Sequence, residues 1–254
     1  MKTERLDKVL SKSGFGTRSE VKKLVRRGLV LLNGEPCKSA DRHIDLMKDS
    51  LEVDGEKVDL RTDLYLMMNK CKNVVCAAKD GLHDTVFSLL DEDLCHDYVG
   101  GSLHLVGRLD LDTEGLLIFT TDGTLTHRVT SPKTHISKTY EAELLNAVSP
   151  SEQLRYIEAF RKGVDCPAEN SEEAFTALPA ELSFMNPDED GSSRYARLVI
   201  YEGKYHQVKR MFRGVGNEVT ELKRTGMGAL QLDPSLLPGE YRELTEDEIT
   251  LLYE

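Results

Sequence analysis

The sequence lacks the features of membrane, secreted and metal-binding proteins. Its longest apolar runs, such as residues 115–119, are far shorter than the roughly 20 residues that a membrane-spanning helix needs. Its first residues contain no apolar segment that could form the core of a signal peptide. The five cysteines are odd in number and form no Cys-x-x-Cys pair, which argues against a disulfide framework and a zinc site. We therefore expect a cytoplasmic protein without a metal.

The composition is that of neither a disordered chain nor a collagen-like repeat. Of the 254 residues, 39% are hydrophobic and 30% are charged, which suits a mid-sized globular domain or a small module joined to a larger one. Acidic residues outnumber basic ones, 44 to 33, and the net charge of −11 by itself argues against a nucleic-acid-binding protein.

The charge is distributed unevenly along the chain. Residues 1–38 hold ten basic and four acidic residues, a net charge of +6, which leaves −17 for the rest of the chain. Affinity for phosphates depends on the charge density at the contact rather than on the total charge. A basic segment attached to an acidic body is therefore typical of a module that docks on a polyanion.

Short periodic segments predict a small, helix-rich module over residues 1–60. Apolar residues at helical spacing predict a first helix, and Thr17 and Glu20 form a capping box that opens a second one. The dipeptides at residues 33–34 and 54–55, Asn-Gly and Asp-Gly, are hairpin turn signals that predict short strands.

Basic side chains follow one face of the predicted second helix. Arg18, Lys22 and Arg26 are spaced four residues apart, so their charged groups form a line. Lys23 and Arg27 lie beside that line. Either a solvated helix face or a phosphate-binding surface explains these five residues, which we call the basic stripe.

The motifs of this segment resemble a known RNA-binding module. Residues 5–10, 17–22 and 28–34 are similar, in sequence and in order, to the module named after a small-subunit ribosomal protein. In that family the second helix and the loop after it bind structured RNA. The resemblance therefore implies that the basic stripe contacts RNA.

After a polar linker near residues 59–63, the chain predicts a larger domain over residues 61–254. Residues 149–152 and 245–248 are capping boxes that open helices, and residues 194–201 are rich in β-forming side chains. Because helices do not regularly separate the strand-like runs, we expect an α+β fold with a mixed, mainly antiparallel sheet.

Three carboxylates alternate along the chain just before an apolar run. Asp110, Asp112 and Glu114 fit the first positions of a calcium-binding loop, but Thr121 stands where that loop requires a bidentate glutamate. A carboxylate pair for glycoside hydrolysis is a second interpretation, although two carboxylates two residues apart on a strand cannot easily flank a bond from opposite sides. In the third, a single nucleophilic or basic aspartate acts on a nucleotide beside Arg108.

The third interpretation is supported by a resemblance to the pseudouridine synthases. The segment Gly107-Arg-Leu-Asp110 resembles the catalytic loop of that family. Further blocks resemble the family in the order in which it carries them: residues 113–117, 121–124, 137–140, 202–212, 222–225 and 237–245. Together with the amino-terminal module, they make the chain similar to the branch that modifies a uridine of bacterial ribosomal RNA.

The resemblance implies an isomerase that needs no cofactor, because the reaction rejoins the uracil to the ribose through another ring atom and gains no atom. It implies that Asp110 is the catalytic carboxylate and that Arg108 fills the space left by the flipped base or binds a phosphate. Tyr140 is expected to stack on the uracil. Lys209 is expected to pair with Asp110 and to keep it ionised.

For other residues of the matching blocks, the resemblance implies less specific roles. Lys204 and Arg210 belong to one basic block and are expected to help hold the RNA. His206 in the same block is interpreted as a structural hydrogen-bonding group. The branch usually reads Asn-Lys-Pro-x-Gly where this chain has Cys71 and Asn73, so we expect the loop geometry there to differ.

The choice of ribosomal RNA rests on the ends of the chain. Members of the branch that act on the large subunit often have a long basic tail or lack the amino-terminal module, whereas this chain has the module and ends shortly after residue 245. We therefore expect a monomer that modifies 16S ribosomal RNA, at uridine 516, within a ribosomal subunit assembly intermediate. A synthase for 23S ribosomal RNA and a non-catalytic RNA-binding assembly factor are the alternatives.

Overall fold

The computed structural model describes residues 3–46, 48–58, 60, 63–91, 94, 102–131 and 133–253. The chain divides into two units. The smaller unit holds the described residues up to Tyr65, together with those of 91–104 and 120–123, and the larger unit holds the others. Most of the predicted linker near residues 59–63 lies outside the described residues.

Among its described residues, the smaller unit contains two helices and six short strands. In chain order these are β1 (Thr3–Arg5), α1 (Leu6–Lys12), α2 (Arg18–Arg26), β2 (Val30–Leu32), β3 (Glu35–Pro36), β4 (His43–Asp45), β5 (Leu51–Val53) and β6 (Glu56–Val58). Strand β1 pairs with β4, and an antiparallel sheet has the order β3-β2-β5-β6. The expected helix-rich composition is not confirmed, because both hairpin turn signals join pairs of strands that accompany the helices.

The predicted capping box opens α2. Thr17 Oγ1 accepts a hydrogen bond from the Glu20 amide at 3.3 Å, and Glu20 Oε2 accepts one from the Thr17 amide at 2.7 Å. Val21 and Val25 of α2 are buried in the core of the unit together with the apolar residues of α1. The opposite side of α2 is therefore left to polar side chains.

The rest of the chain contains a large sheet, several helices and short peripheral strands. They are β7 (Tyr65–Lys70), a 3₁₀ helix (Val86–Leu89), β8 (His104–Leu105), β9 (Glu114–Thr120), α3 (Gly123–Thr130), β10 (Lys138–Val148), α4 (Pro150–Lys162), β11 (Asp165–Cys166), β12 (Phe175–Thr176), β13 (Glu181–Met185), β14 (Ser193–Ile200), α5 (Gln207–Gly214), β15 (Val219–Met227), β16 (Leu230–Gln231), β17 (Tyr241–Glu243) and α6 (Glu246–Leu251). The capping boxes predicted at Ser149 and Thr245 open α4 and α6. No helix in the described ranges is long and apolar enough to cross a membrane.

The large sheet is mixed, as expected. Its strand order is β13-β14-β10-β15-β9-β7-β17, with β16 paired to β15 and β8 to β9. Strands β13, β14, β10 and β15 are antiparallel neighbours, whereas β15 runs parallel to β9. In the parallel pair Arg224 lies opposite Gly115, and a Cβ atom at Gly115 would lie 2.2 Å from the Arg224 carbonyl oxygen. Only glycine therefore allows the two strands to approach at this point.

Helix α5 carries part of the candidate site and is fixed by its apolar side. Val208, Met211 and Phe212 are buried, and the ring of Phe212 lies 5.1 Å from the ring of Phe160 in α4. Lys209 projects from another side of the helix. The packing of the apolar side thus determines which residues of α5 can reach a ligand.

Candidate active site

A cavity of about 420 Å³ lies in the larger unit. Its walls come from the loop before β9, from β10, from the segment that leads into α5, and from β15. The lining residues are Gly107, Arg108, Leu109, Asp110, Thr113, Thr130, Lys138, Tyr140, Ile200, Glu202, Gly203, Lys204, His206, Gln207, Val208, Leu222 and Arg224. Four of the predicted site residues are thereby brought together at one cavity: Arg108, Asp110, Tyr140 and Lys204.

Asp110 lies in the loop between β8 and β9, with its carboxylate beside two basic groups. Its Oδ2 is 3.7 Å from Nζ of Lys209 and 3.8 Å from Nε2 of His206. The Asp110 side chain is 32% exposed, so a ligand in the cavity can reach it. A carboxylate in this position can act as a nucleophile or as a base.

The alternating carboxylates do not form a calcium loop. Glu114 begins β9 and lies opposite Lys223 in the register with β15, so the residues that would complete such a loop belong to a strand. In the part of the chain that the structure describes, no group of three or more His, Cys, Asp or Glu side chains is placed to hold a metal ion.

Lys209 approaches two carboxylates rather than one. Its Nζ donates a hydrogen bond to Oδ1 of Asp112 at 2.6 Å, whereas Oδ2 of Asp110 is 3.7 Å away. Lys209 thus forms an ion pair with Asp110, the residue with which it was expected to pair, and its hydrogen bond goes to Asp112, a second partner that the sequence did not predict. Burial is the largest single effect and raises the pKa of the Asp112 carboxyl, but the hydrogen bond from Lys209, its charge and smaller contributions together lower the net pKa.

A buried lysine fixes the loop that carries Asp110. Lys70, at the end of β7, is fully buried. Its Nζ donates hydrogen bonds to the carbonyl oxygens of Asp110 at 3.0 Å, Thr113 at 2.9 Å and Cys71 at 2.9 Å. Burial lowers the pKa of the Lys70 ammonium group. Sequence reasoning missed this role, although Lys70 belongs to the Asn-Lys pair that precedes the altered family motif.

Asn73 takes the conformation that the missing family glycine would allow. Its φ is 64°, in the left-handed region that asparagine tolerates better than most side chains do. The Asn73 amide donates a hydrogen bond to the carbonyl oxygen of Leu111 at 2.9 Å. The segment with the altered motif therefore contacts the loop of Asp110 directly.

His206 lies closer to the site than the sequence interpretation implied. It precedes α5 with a φ of 48°, and its ring stacks on Tyr205 at a centroid distance of 3.8 Å. Its Nδ1 is 3.1 Å from Oε2 of Glu169, and its Nε2 faces Asp110. Burial is the largest single effect and raises the pKa of the Glu169 carboxyl, but the hydrogen bonds and charges of Arg213, at 2.8 Å, and His206 together lower it. Glu169 carries no motif signal, so the sequence alone could not reveal it.

Tyr140 and Arg108 both line the cavity, but their side chains differ in exposure. Tyr140 of β10 is 8% exposed, so its ring is part of the wall. Arg108 is exposed and lies two residues before Asp110 in the same loop. A flat base that enters the cavity therefore meets an aromatic wall, a carboxylate and an exposed cation.

Arg210 does not fit the RNA-binding role predicted for it. It is 1% exposed, and its guanidinium donates hydrogen bonds to the carbonyl oxygens of Pro167 at 2.9 Å, Tyr205 at 3.3 Å and Glu173. A guanidinium whose donors are used inside the fold cannot contact a phosphate. The predicted RNA-binding role is therefore wrong, and Arg210 is a structural residue.

Lys204 remains available to a ligand. Its side chain is 47% exposed, and its Nζ lies 4.0 Å from the centre of the Phe175 ring and 3.9 Å from Oε2 of Glu202. Lys204 also lines the cavity. Its charge can therefore act on an anion at the cavity mouth.

The basic stripe lies on the smaller unit. Its residues Arg18, Lys22, Lys23 and Arg26 belong to α2, and Arg27 is the C-terminal cap of that helix. All five are exposed, and none forms an ion pair with another described residue. The stripe is therefore accessible to a polyanion.

Comparison with known proteins decides the family. Residues 64–213 match the family model described as RNA pseudouridylate synthase, and residues 4–49 match that of the S4 domain. The chain belongs to the RNA pseudouridylate synthase family. This synthase is an enzyme that carries an S4 domain at its amino-terminal end, as both resemblances predicted.

The synthase is similar to its relatives over nearly its whole length. It is 44% identical over 251 residues to an uncharacterised RNA pseudouridine synthase of Bacillus subtilis, with 98% of each chain covered. It is 40% identical over 250 residues to ribosomal small subunit pseudouridine synthase A of Vibrio cholerae, with 98% of this chain and 99% of that one covered. A crystal structure of a pseudouridylate synthase matches with a TM-score of 0.64 and 37% identity, covering 98% of this chain and 99% of that one.

Proposed function

We propose that this synthase converts uridine 516 of bacterial 16S ribosomal RNA to pseudouridine, with Asp110 as the catalytic carboxylate. One observation carries the proposal: Asp110 lines the cavity and lies 3.7 Å from the ammonium of Lys209. The choice of 16S ribosomal RNA is supported by relatives in Vibrio cholerae and Escherichia coli that are named ribosomal small subunit pseudouridine synthase A.

The proposed reaction rearranges one nucleotide. The bond between C1′ of the ribose and N1 of the uracil breaks, and a bond between C1′ and C5 forms. C5 loses a proton and N1 gains one, so substrate and product contain the same atoms. Asp110 acts on the sugar or the base as a nucleophile, or removes a sugar proton as a base.

The target base must leave its stack in the RNA to enter the cavity, which costs on the order of a few kcal/mol. Stacking on Tyr140 recovers about 1–3 kcal/mol of this cost. Arg108 is exposed in the same loop as Asp110, where it fills the space that the base leaves or binds a phosphate. Lys204 adds positive charge at the cavity.

The S4 domain supplies affinity for structured RNA through the basic stripe. Its exposed cations contact phosphates and raise the local concentration of the substrate at the cavity, without a part in the chemistry. We place the reaction in the cytoplasm, on a ribosomal subunit assembly intermediate, with the synthase acting as a monomer.

Site-resolved pseudouridine mapping tests the proposal. 16S and 23S ribosomal RNA are mapped from cells with and without the protein. We expect one position of 16S ribosomal RNA to lose pseudouridine without the protein, and to regain it with the wild-type protein but not with Asp110→Asn. Loss of pseudouridine from a position of 23S ribosomal RNA would show instead that 16S ribosomal RNA is not the substrate. Unchanged maps of both RNAs would contradict the proposal and favour a non-catalytic role.

A further inference from the structure

Two cations at the cavity are not used by the reaction as proposed. Lys138 and Arg224 line the cavity from the neighbouring antiparallel strands β10 and β15. Tyr140 is two residues from Lys138, on the same face of β10, and lies opposite Arg224 in the strand register. The two cations therefore flank the residue on which the uracil is proposed to stack.

Arg224 is buried without a full set of hydrogen-bond acceptors. It is 2% exposed, and its Nε donates a hydrogen bond to the carbonyl oxygen of Leu116 at 2.8 Å. Its Nη2 is buried and has no hydrogen-bond partner among the residues that the structure describes. A guanidinium keeps its charge at all relevant pH values, so a buried N–H without an acceptor is costly unless a ligand supplies one.

Lys138 has a similar shortage of acceptors. Its Nζ donates one hydrogen bond, to the carbonyl oxygen of Ile136 at 3.0 Å, and it forms no ion pair within the described ranges. Burial, and then the nearby charge of Arg224, lower the pKa of the Lys138 ammonium group. An anion that contacts both cations would relieve their repulsion and compensate for their burial.

The carboxylates of the cavity are engaged elsewhere. Asp110 faces Lys209 and His206. Glu202 accepts a hydrogen bond from the side-chain amide of Gln207 at 2.7 Å. The anion for Lys138 and Arg224 must therefore arrive with the ligand.

We propose that Lys138 and Arg224 together bind a backbone phosphate of the target nucleotide and thereby position its base on Tyr140. This inference rests on the proposed function of the cavity and adds an anchor for the ribose-phosphate part of the substrate. Non-bridging phosphate oxygens accept charge-assisted hydrogen bonds from both guanidinium and ammonium groups. The phosphates on the 5′ and 3′ sides of the uridine share this chemistry, and the experiment distinguishes them.

The experiment removes the charge from each side of the contact in turn. RNA fragments of 16S ribosomal RNA carry an uncharged methylphosphonate at either the 5′ or the 3′ phosphate of the target uridine. Single-turnover kcat/KM and the salt dependence of binding are measured for the wild-type protein, Lys138→Met and Arg224→Met. Arg197→Met is the matched control, because Arg197 is an exposed cation of β14 on the opposite face of the same sheet.

On unmodified RNA, we expect Lys138→Met to lower kcat/KM about tenfold or more and to reduce the log-log salt slope by roughly 0.7. A methylphosphonate at the bound phosphate should lower the kcat/KM of the wild-type protein by a similar factor. It should cause no further loss of kcat/KM in Lys138→Met. Arg197→Met should match the wild-type protein on every RNA.

The inference would be overturned if both methylphosphonates lowered the kcat/KM of Lys138→Met as much as that of the wild-type protein. The same interaction between a cation and a phosphate cannot be removed twice. If Arg224→Met does not fold, Lys138→Met decides the test alone, since Lys138 is only partly buried. A wild-type protein that forms no pseudouridine in any of the unmodified RNAs would instead reject the proposed function, which keeps the two failures distinct.

Discussion

Nζ of Lys209 lies 2.6 Å from Oδ1 of Asp112, within hydrogen-bond distance. Asp110, at 3.7 Å from the same Nζ, receives the charge of Lys209 without a direct hydrogen bond. Asp112 therefore neutralises and orients the ammonium group, while the Asp110 carboxylate stays open to the cavity. The two carboxylates of one loop therefore have different surroundings.

Replacement of Lys209 should slow the chemical step. We expect Lys209→Met to lower the single-turnover rate at saturating RNA by roughly 100-fold, because Asp110 loses a positioned positive charge. Asp112→Asn should cost less than Lys209→Met, since the amide oxygen of asparagine can still accept the hydrogen bond. A rate for Lys209→Met equal to that of the wild-type protein would show that the charge has no part in catalysis.

Removal of the Lys70 ammonium should destabilise the loop that carries Asp110. Lys70→Met removes a fully buried ammonium group that donates hydrogen bonds to several backbone carbonyl oxygens, and we expect it to lower the free energy of unfolding by about 3 kcal/mol. Denaturant unfolding measures the change. The control is Lys72→Met, because Lys72 is one-third exposed and pairs with Glu221 at the surface. Equal losses from the two variants would contradict the role assigned to Lys70.

Charge removal from the basic stripe should act on binding and leave chemistry intact. We expect Lys22→Met combined with Arg26→Met to reduce the log-log salt slope of RNA binding by roughly 0.7 to 0.9 for each phosphate that the variant no longer neutralises. The rate at saturating RNA should not change. Lys57→Met, in the exposed strand β6 of the same unit, is the control. An unchanged salt slope in the double variant would refute phosphate binding by the stripe.

Arg242 makes stability depend on pH in the acid range. It forms ion pairs with Asp233 and Glu248. Hydrogen bonds from Ser235, and then the one from Arg242, lower the pKa of the Asp233 carboxyl to about 2, and the hydrogen bond from Arg242 is the main cause that lowers the pKa of Glu248 to about 2. Because these folded-state values lie below those of unfolded carboxyls, the stabilisation is present above about pH 4 and is lost as the pH falls toward 2. We expect Arg242→Met to lower Tm by about 3 °C at pH 7 and by progressively less toward pH 2.

The control for Arg242 is Arg155→Met, which removes an exposed pair with Glu152 at 3.8 Å. Its Tm should follow that of the wild-type protein from pH 7 to pH 2. A Tm difference between Arg242→Met and the wild-type protein that does not depend on pH would assign the loss to packing rather than to the ion pairs.

Local signals in the sequence predicted local structure well. The capping boxes at Thr17, Ser149 and Thr245 each open a helix, because their hydrogen bonds join residues three positions apart and need no tertiary contact. The turn signals likewise join β2 to β3 and β5 to β6. The order of the motifs identified Arg108, Asp110 and Tyr140 as site residues, and all three line one cavity.

Side-chain partners depended on packing that the sequence does not express. Arg210 and Lys209 are neighbours in one basic block, yet one is buried among carbonyl oxygens and the other reaches Asp112. Which of them points inward is set by the apolar side of α5 against the core. Lys70 contacts Asp110 across 40 positions of the sequence and Glu169 contacts His206 across 37, and no periodicity marks such contacts.

The central claim is that the carboxylate of Asp110 carries the chemistry. Single-turnover formation of pseudouridine in a 16S ribosomal RNA fragment by Asp110→Asn, with RNA affinity measured alongside, tests it most directly. Asparagine keeps the size of the side chain and removes its charge and nucleophilicity, so we predict no pseudouridine and an affinity within a few-fold of the wild-type value. Pseudouridine formation by Asp110→Asn at a rate near that of the wild-type protein would contradict the claim.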